Sequence, residues 1–314
     1  MLRQYFFKRL LVAVPSLLIA SVIVFSLARF IPGDVVTLMM EENQYAQDLE
    51  EMRAKLGLDR PVHVQYLDWI GRVVRGDLGQ SLYTGRPVLG ELAVRVPVSL
   101  ELGGIALFFA LLLGVPIGIV SAVRQDTAQD YVARSSAILG LSVPGFWLGT
   151  LVVVLPAIYL GWSPSIQYVA FAIDPWGHVV QFLLPGFLLG VASAAAVMRL
   201  TRTQLLEVLR QDYVRTAWAK GLAEGGVVLK HSLKNALIPV VTVLGIQVAQ
   251  ILSGTVIFES IFGLPGMGRF LFDAITERDY PVIQGINLAV VSTVVVVNLL
   301  VDVTYAWLDP RIRF

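Results

Sequence analysis

Long apolar runs alternate with shorter polar segments along most of the chain. Six runs approach or exceed the roughly 20 residues that a helix needs to cross a hydrocarbon core about 30 Å thick. Because backbone polar groups find no water inside a bilayer, each run is predicted to be a helix. The six predicted spans cover residues 10–30, 98–123, 137–160, 182–198, 238–262 and 282–307.

The first run follows three basic residues, Arg3, Lys8 and Arg9, as the apolar part of a secretory signal would. It is longer than such a segment and has no small-residue cleavage pattern before "RFIPGD", so it is interpreted as an uncleaved span. Composition agrees with a membrane location, since 56% of the 314 residues are hydrophobic and the mean hydropathy is +0.72. The predicted fold class is therefore an all-α membrane protein with six transmembrane helices.

Basic residues are unevenly distributed among the short polar segments. An even number of spans puts both termini on one side of the membrane, together with residues 124–136 and 199–237. These segments carry fourteen Lys and Arg residues, whereas 161–181 and 263–281, on the other side, carry two. Since short cytoplasmic segments are enriched in Lys and Arg, both termini are predicted to be cytoplasmic.

The longest polar segment, residues 31–97, is placed outside by this topology. It holds seven basic and ten acidic residues and is too long for its charges to set the orientation. The run "DLEEMRAKLGLDRP" has apolar residues at helical spacing, and a second helix is predicted between Pro61 and Gly76. Two interpretations stay open, a docking surface for an external partner and packing over the helix ends.

Several catalytic constellations are missing from the sequence. It contains no GxxxxGK[ST] motif, no HExxH motif and no cysteine. The histidines His63, His178 and His231 fall on three different polar segments, so no shared metal site is predicted. No catalytic residue, metal ligand or cofactor is predicted in this chain.

Polar residues inside the predicted spans are candidates for a transport path. Gln247, Gln250 and Ser253 recur at i, i+3 and i+6, which keeps them on one broad helix face. They could line a translocation path or form hydrogen bonds between helices, and both interpretations stay open. Glu259 and Asp302 lie near the ends of their spans, which favours structural pairing over a proton relay.

The segment 199–237 is basic and contains "DYVRTAWAKGLAEGG". Asp212 is predicted to cap a short helix that Gly221 ends. The "AEGG" run is predicted to break the chain before a helix resumes toward Pro239.

Within this short helix, Val214, Ala217 and Trp218 predict a small apolar patch between Arg215 and Lys220. Such an element suits docking into a groove on another protein. The alternative is a loop at the lipid surface, held by anionic headgroups.

The motif "YVRTAWAKGL" followed by "HSLKNALIPVVTVLG" resembles the EAA loop of ABC importer permeases, specifically the B-type membrane subunit of the dipeptide, oligopeptide and nickel importer family. The resemblance extends over nearly the whole chain, from "RLLVAVPSLLIASVIVFSLARFIPGD" through "GDLGQSL", "LSVPGFWLG" and "FESIFGLPGMGRFLFDAITERDYPVIQG" to "NLLVDVTYAWLDPRIRF". The general pattern begins Glu-Ala-Ala, whereas this chain has Arg215-Thr216-Ala217. Ala217 and Gly221 match the pattern directly, and Arg215 does not inherit the role of the glutamate.

The resemblance implies a type I ABC importer permease fold in a bacterial or archaeal cytoplasmic membrane. It implies a second homologous permease subunit, two cytoplasmic ABC ATPases that hold ATP and Mg²⁺, an extracytoplasmic substrate-binding protein, and contact with lipid but not with nucleic acid. Transport would be catalysed by the complex and not by this chain. The short helix would be the coupling helix that docks on an ATPase, with the residues Tyr213, Arg215, Thr216, Ala217, Lys220, Gly221 and Leu222.

The predicted spans divide the chain into residues 1–30, the N-terminus and first span, residues 31–97, an extracytoplasmic loop, and residues 98–314, a five-span core. By the same resemblance, this core is a permease core with the coupling loop at about 199–237. The expected substrate is a peptide or peptide-like solute, with a nickel chelate, glutathione, an opine or a sugar as alternatives. A rival from another class is a stand-alone secondary transporter, which predicts ionisable residues at mid-membrane and an internal repeat. Neither is visible in the sequence.

Overall fold

The computed structural model describes residues 2–30, 59–165 and 167–308, and these residues are almost entirely helical. They contain no strand, only an isolated antiparallel bridge between Gln80 and Pro87. The predicted all-α class is confirmed. The helices are α1 (Leu2–Phe30), α2 (Val62–Val74), α3 (Val88–Val123), α4 (Ala128–Ser142), α5 (Gly145–Leu160), α6 (Pro175–Leu209), α7 (Asp212–Ala219), α8 (Glu224–Phe262), α9 (Met267–Thr276) and α10 (Tyr280–Leu308).

Three helices are much longer than the apolar runs that predicted them. Helices α3, α6 and α8 have 36, 35 and 39 residues, and at about 1.5 Å per residue each exceeds a hydrocarbon thickness of roughly 30 Å. In the described part of the chain, α3, α6, α8 and α10 are long and apolar enough to span a membrane, and α4 with α5 makes a fifth span if the pair is counted as one. The apolar stretch of α1, Leu11–Ser26, is shorter. The chain is a multi-pass membrane protein.

The predicted span 137–160 is not one straight helix. Helix α4 ends at Ser142, α5 begins at Gly145, and the two are bent by 85°. Between them Val143 is extended, with φ −92° and ψ 121°, and Pro144 follows. Proline lacks the N–H that the helical ladder needs and disfavours the α conformation in the residue before it, so the helix breaks here.

Helices α3 and α6 form the centre of the bundle and approach closely at glycines spaced four residues apart. Gly114 and Gly118 of α3 face α6, and Gly186 and Gly190 of α6 face α3. A Cβ at Gly190 would lie 2.5 Å from the carbonyl oxygen of Ala106. Small residues at this spacing let helix backbones pack in a membrane, where van der Waals contact drives association. Helix α8 packs against both α3 and α6.

The two ends of the bundle carry separate apolar clusters. Val88, at the start of α3, packs with Val282 of α10 and with residues of α9. Ala122, near the end of α3, packs with Leu205 of α6 and Val228 of α8. Because α3 has 36 residues, these ends are about 50 Å apart. We call them the α9 end and the α7 end.

The second helix predicted in the polar segment 31–97 is confirmed as α2. It begins after Pro61, and Gly76 follows its end with φ +82°, a conformation that favours glycine. Trp69 of α2 is buried, and its ring centroid lies 5.6 Å from that of Phe25 in α1. Packing against the bundle is therefore observed for α2, while docking of a partner stays a prediction.

Two predictions concern parts of the chain outside the described residues. They are the helix in "DLEEMRAKLGLDRP", which falls mainly on residues 48–58, and the pairing of the Asp302 side chain. The predicted boundary between residues 97 and 98 lies inside α3, which begins at Val88.

Candidate functional site

Helix α7 connects α6 to α8 and begins one position earlier than the cap prediction requires. Gln211 is extended, with φ −73° and ψ 147°, and occupies the cap position, while Asp212 is the first helical residue. No side chain caps the helix, so the predicted capping role of Asp212 is wrong. Its exposed carboxylate lies 3.7 Å from the guanidinium of Arg215. Negative charge in the first turn still favours the helix through the macrodipole.

Helix α7 ends before Gly221, as predicted, and the structure shows a Schellman turn at this glycine. Gly221 has φ +77° and donates its N–H to the Trp218 carbonyl at 2.9 Å. The N–H of Leu222 reaches the Ala217 carbonyl at 3.4 Å. This pair of bonds satisfies two of the last carbonyls of the helix and requires the left-handed conformation that glycine adopts without strain.

The chain break after α7 is shorter than predicted. Glu224–Gly226 form the first turn of α8 and continue into a π turn, Val227–Ser232. The prediction that "AEGG" interrupts the chain is therefore wrong for every residue of that run except Ala223, since only residues 220–223 separate the two helices. Helix α8 then continues through Pro239 to Phe262.

One face of α7 is buried against the chain's own helices. Val214 and Ala217 are buried and cluster with Val227 of α8, with the end of α6 packed alongside. The hydroxyl of Tyr213 accepts a hydrogen bond of 2.8 Å from Nδ2 of Asn235 in α8. The predicted apolar patch is therefore divided, because Val214 and Ala217 point inward while Trp218 is exposed.

The opposite face of α7 is exposed and carries charges of both signs. Arg215 projects from it beside the carboxylate of Asp212, and Lys220 follows directly after the last residue of the helix. In the described part of the chain, Lys220 has no ion-pair partner. Ala217 differs from the other predicted coupling residues because it is buried, and the exposed ones are Tyr213, Arg215, Thr216, Lys220, Gly221 and Leu222.

The three predicted path residues of α8 occupy different environments. Gln247 is 4% exposed and lies on the face that includes Val240 and Ile251, which pack on α3 and α6. Its Oε1 has no hydrogen-bond partner within the described residues. Gln250 and Ser253 are exposed on another face. Gln250 and Ser253 therefore share one exposed side of α8, whereas Gln247 is buried inside the helix bundle.

Gln250 and Ser253 belong to an exposed stripe that runs along α8. Successive members are three or four residues apart, so they share one side of the helix. The stripe mixes small polar and aliphatic side chains and has no charge. Its members are Thr242, Ile246, Gln250, Ser253, Ile257 and Ser260.

Glu259 is a structural anchor at the α9 end. Its carboxylate accepts 2.5 Å and 2.9 Å hydrogen bonds from the Ser99 hydroxyl and the Arg269 N–H. The Ser99 hydroxyl in turn accepts a 2.8 Å bond from the Met267 N–H. A carboxylate at the start of α9 satisfies free N–H groups and complements the helix dipole. These contacts favour structural pairing over a proton relay.

Two buried aspartates were missed by the sequence reasoning. Asp130 receives a bidentate pair of bonds from Arg202, at 2.8 Å and 2.7 Å, and a 2.5 Å bond from the Ser121 hydroxyl. Asp279 accepts a 2.5 Å bond from the Ser81 hydroxyl. Arg202 lies 72 residues from Asp130 and Ser81 lies 198 residues from Asp279, so no local pattern indicated either contact.

The ring of His178, near the start of α6, is buried between two polar groups. Its ring nitrogens lie 2.7 Å from the Val169 carbonyl oxygen and 2.9 Å from Oε1 of Glu101. Burial raises the pKa of the neighbouring Tyr168 hydroxyl, and the Glu101 carboxylate adds to the shift. The described residues contain no group of three or more His, Cys, Asp or Glu side chains that could hold a metal ion.

Comparisons with known proteins agree over nearly the whole length of the chain. The family model "Binding-protein-dependent transport system inner membrane component" matches residues 114–314, and the N-terminal model of such membrane components matches residues 1–103. The chain is 42% identical over 311 residues to a glutathione transport system permease protein, GsiC, of Salmonella choleraesuis, covering 99% of both chains. It is 39% identical over 330 residues to a dipeptide transport system permease protein, DppB, of Alkalihalophilus pseudofirmus, again covering 99% of both.

The solved structures provide a match to the fold. A chain of the MetNI methionine ABC transporter superposes with a TM-score of 0.57 at 17% identity, covering 70% of this chain and 96% of that one. The sequence match over nearly full length and the shared fold lead to one assignment. The chain belongs to the binding-protein-dependent transport system inner membrane component family, as a permease subunit of an ABC importer.

Proposed function

We propose that α7 is the element through which this permease receives the work of ATP hydrolysis from a separate ABC ATPase. The observation that carries the proposal is the two-sided construction of α7. Val214 and Ala217 hold it to the bundle, and Arg215 and Lys220 project outward. A chain without a phosphate-binding loop needs an external source of ATP energy, and a short helix with an exposed charged face suits a groove on another protein.

The proposed topology has six spans with both termini in the cytoplasm. The spans would be α1, the bent pair α4 and α5, and the long helices α3, α6, α8 and α10. The α7 end would face the cytoplasm, in keeping with the excess of basic residues in segments 124–136 and 199–237. The chain would then lie in a bacterial or archaeal cytoplasmic membrane.

The translocation path is proposed to run along the exposed stripe of α8, between this subunit and a second homologous permease. A solute with polar groups needs hydrogen-bonding side chains along its way, and Gln250 and Ser253 supply them. Gln247 faces the interior of the bundle, so we assign it to packing between helices. ATP and Mg²⁺ would be held by two ATPase subunits, and a binding protein would deliver the solute at the α9 end.

A peptide-like solute is the proposed substrate. It is supported by two relatives of nearly equal similarity, one named for glutathione and one for dipeptides. The test is ATP-driven uptake of labelled glutathione and of labelled dipeptides by the reconstituted complex with its binding protein. Uptake of only a bare metal ion or a sugar would overturn the proposal.

Charge reversal on α7 tests the docking proposal. An exposed ion pair contributes about 0.2–1 kcal/mol, so Arg215→Glu with Lys220→Glu should weaken ATPase binding by about tenfold. The matched control is Arg75→Glu, which reverses an exposed charge beyond α2, at the α9 end. We expect the control complex to retain its ATPases at wild-type affinity. A double variant that did so too would remove the basis for the assignment.

A backbone test complements the charge reversal. Gly221→Pro cannot adopt φ +77° and removes the N–H bonded to the Trp218 carbonyl. We expect normal membrane insertion and ATP hydrolysis that no longer drives uptake. Import powered by an ion gradient without ATP would instead support the rival secondary transporter.

A further inference from the structure

The first turns of α8 contain a π turn at the point where α7 is attached. Over Val227–Ser232 the backbone follows i to i−5 hydrogen bonding, and the Leu233 N–H bonds to the Val228 carbonyl. The hydroxyl of Ser232, which is fully buried, donates to the Val227 carbonyl at 3.0 Å. Such turns are rare and concentrate at functional sites.

The extra residue in this turn changes which side chains point inward. In a continuous α-helix, the residue one turn before Ser232 on the same face would be Val228. The π turn instead brings Val227 beneath Ser232 while Val228 also stays buried. Two consecutive valines therefore pack in two different clusters. Val227 joins Val214 and Ala217 of α7, and Val228 joins the cluster at the ends of α3 and α6.

We infer that the π turn Val227–Ser232 is a rigid joint that fixes the orientation of α7 on α8. Val227 and Ser232 are its positioning residues, and the bond from Asn235 to Tyr213 is a second tie between the same two helices. A displacement of α7 is then passed along α8 to the exposed stripe that contains Gln250 and Ser253. This inference rests on the proposed role of α7 as the ATPase docking element.

Removal of one residue tests the joint. Leu229 lies in the π turn and is 61% exposed, so its deletion removes the extra residue without removing a packed side chain. Restoring α-helical hydrogen bonding would turn α7 about 100° around α8 and move it by about 1.5 Å. The matched control is Leu229→Ala, which leaves the number of residues unchanged.

The readout is substrate taken up per ATP hydrolysed by the complete complex in proteoliposomes. For the deletion we expect this ratio to fall about tenfold, within the usual range of coupling between sites. For Leu229→Ala we expect a ratio within about twofold of wild type. A deletion variant that keeps its ATPases and imports at the wild-type ratio would overturn the joint while leaving the docking proposal intact.

A distance measurement on the chain with an intact π turn tests the inference even if the deletion variant fails to assemble with its ATPases. The chain has no cysteine, so spin labels can be attached at Ala219→Cys on α7 and Ile246→Cys on α8, both exposed positions. A rigid joint keeps their separation constant to within about 2 Å between nucleotide-free and ATP-trapped complexes. A larger change would show that α7 swings on α8 and would overturn the inference. Loss of ATPase binding is the separate result, read from Arg215→Glu with Lys220→Glu, that would overturn the docking proposal.

Discussion

Replacing Asp130 by asparagine breaks the most completely bonded carboxylate at the α7 end. The side chain is fully buried and accepts four hydrogen bonds, two from Arg202, one from the Ser121 hydroxyl and one from the Asp126 N–H. Asparagine keeps the shape but removes the charge and directs an NH₂ group toward a second donor.

The burial of the two side chains sets the expected loss in the free energy of unfolding. Removing one partner of a buried ion pair costs about 3–5 kcal/mol, because the other charge is left without compensation. Arg202 keeps 18% of its side-chain surface exposed, so water partly replaces its partner and we expect about 3 kcal/mol. Asp126→Asn, at an exposed neighbouring position, is the control and should cost less than about 0.5 kcal/mol.

A double-mutant cycle identifies the source of the loss. We expect Asp130→Asn with Arg202→Met to cost less than the sum of the single changes, by about 1–3 kcal/mol. The assay is equilibrium unfolding of the purified chain in mixed detergent micelles, followed by loss of helical circular dichroism. Additive costs, to within about 0.5 kcal/mol, would refute the reasoning, because they would show that the two side chains do not depend on each other.

Three further changes test other parts of the fold. Gly190→Ala places a Cβ 2.5 Å from a carbonyl oxygen of α3 and should lower the free energy of unfolding by about 1–3 kcal/mol. The control Gly104→Ala meets no atom within 4 Å and should leave the melting temperature unchanged or raised. Equal melting temperatures of the two variants would contradict the close packing of α3 and α6. Gly266→Ala should displace the Glu259 carboxylate and expose the start of α9 to protease, and protection equal to wild type would count against that anchor. Burial and two neighbouring aspartates raise the pKa of Glu277 above its ordinary 4.5. The folded state therefore binds this proton more tightly than the unfolded state, and the resulting stability is lost as pH rises above 4.5. The melting temperature of Glu277→Gln should rise relative to wild type over this pH range, and a difference in melting temperature that stays constant across pH would contradict this.

Local sequence patterns predicted which segments are helical better than they predicted where each helix begins and ends. The apolar runs located α1, α3, α6, α8 and α10, because burial in lipid requires continuous hydrophobicity. The helices nevertheless extend past those runs, since polar turns outside the membrane stay helical when they pack on one another. The break at Pro144 had a visible signal in "SVPG", and so did the contact of α3 with α6 in the glycines of "GVPIG" and "GFLLG".

For the candidate site, too, the sequence predicted the position of the helix but not the orientation of all its side chains. The position of α7 and its end at Gly221 followed from the sequence, since a positive φ at glycine and a short amphipathic run are local properties. The direction in which Ala217 points did not, because Val227, the partner that buries it, is the first residue of a π turn that contains an extra residue. A helical-wheel argument assumes 3.6 residues per turn throughout and fails where the backbone departs from it.

The sequence by itself determined that this is a helical, multi-pass membrane chain of the importer permease family with a short helix in a basic segment between two long apolar helices. Hydropathy, charge bias and motif order are properties of the linear chain and do not depend on how it folds. Only the tertiary structure decided that Gln247 turns inward while Gln250 and Ser253 stay exposed. It also decided that Glu259 meets Ser99, 160 residues away, and that Asp130 meets Arg202, 72 residues away. Such contacts depend on how the helices rotate and pack, which no local pattern encodes.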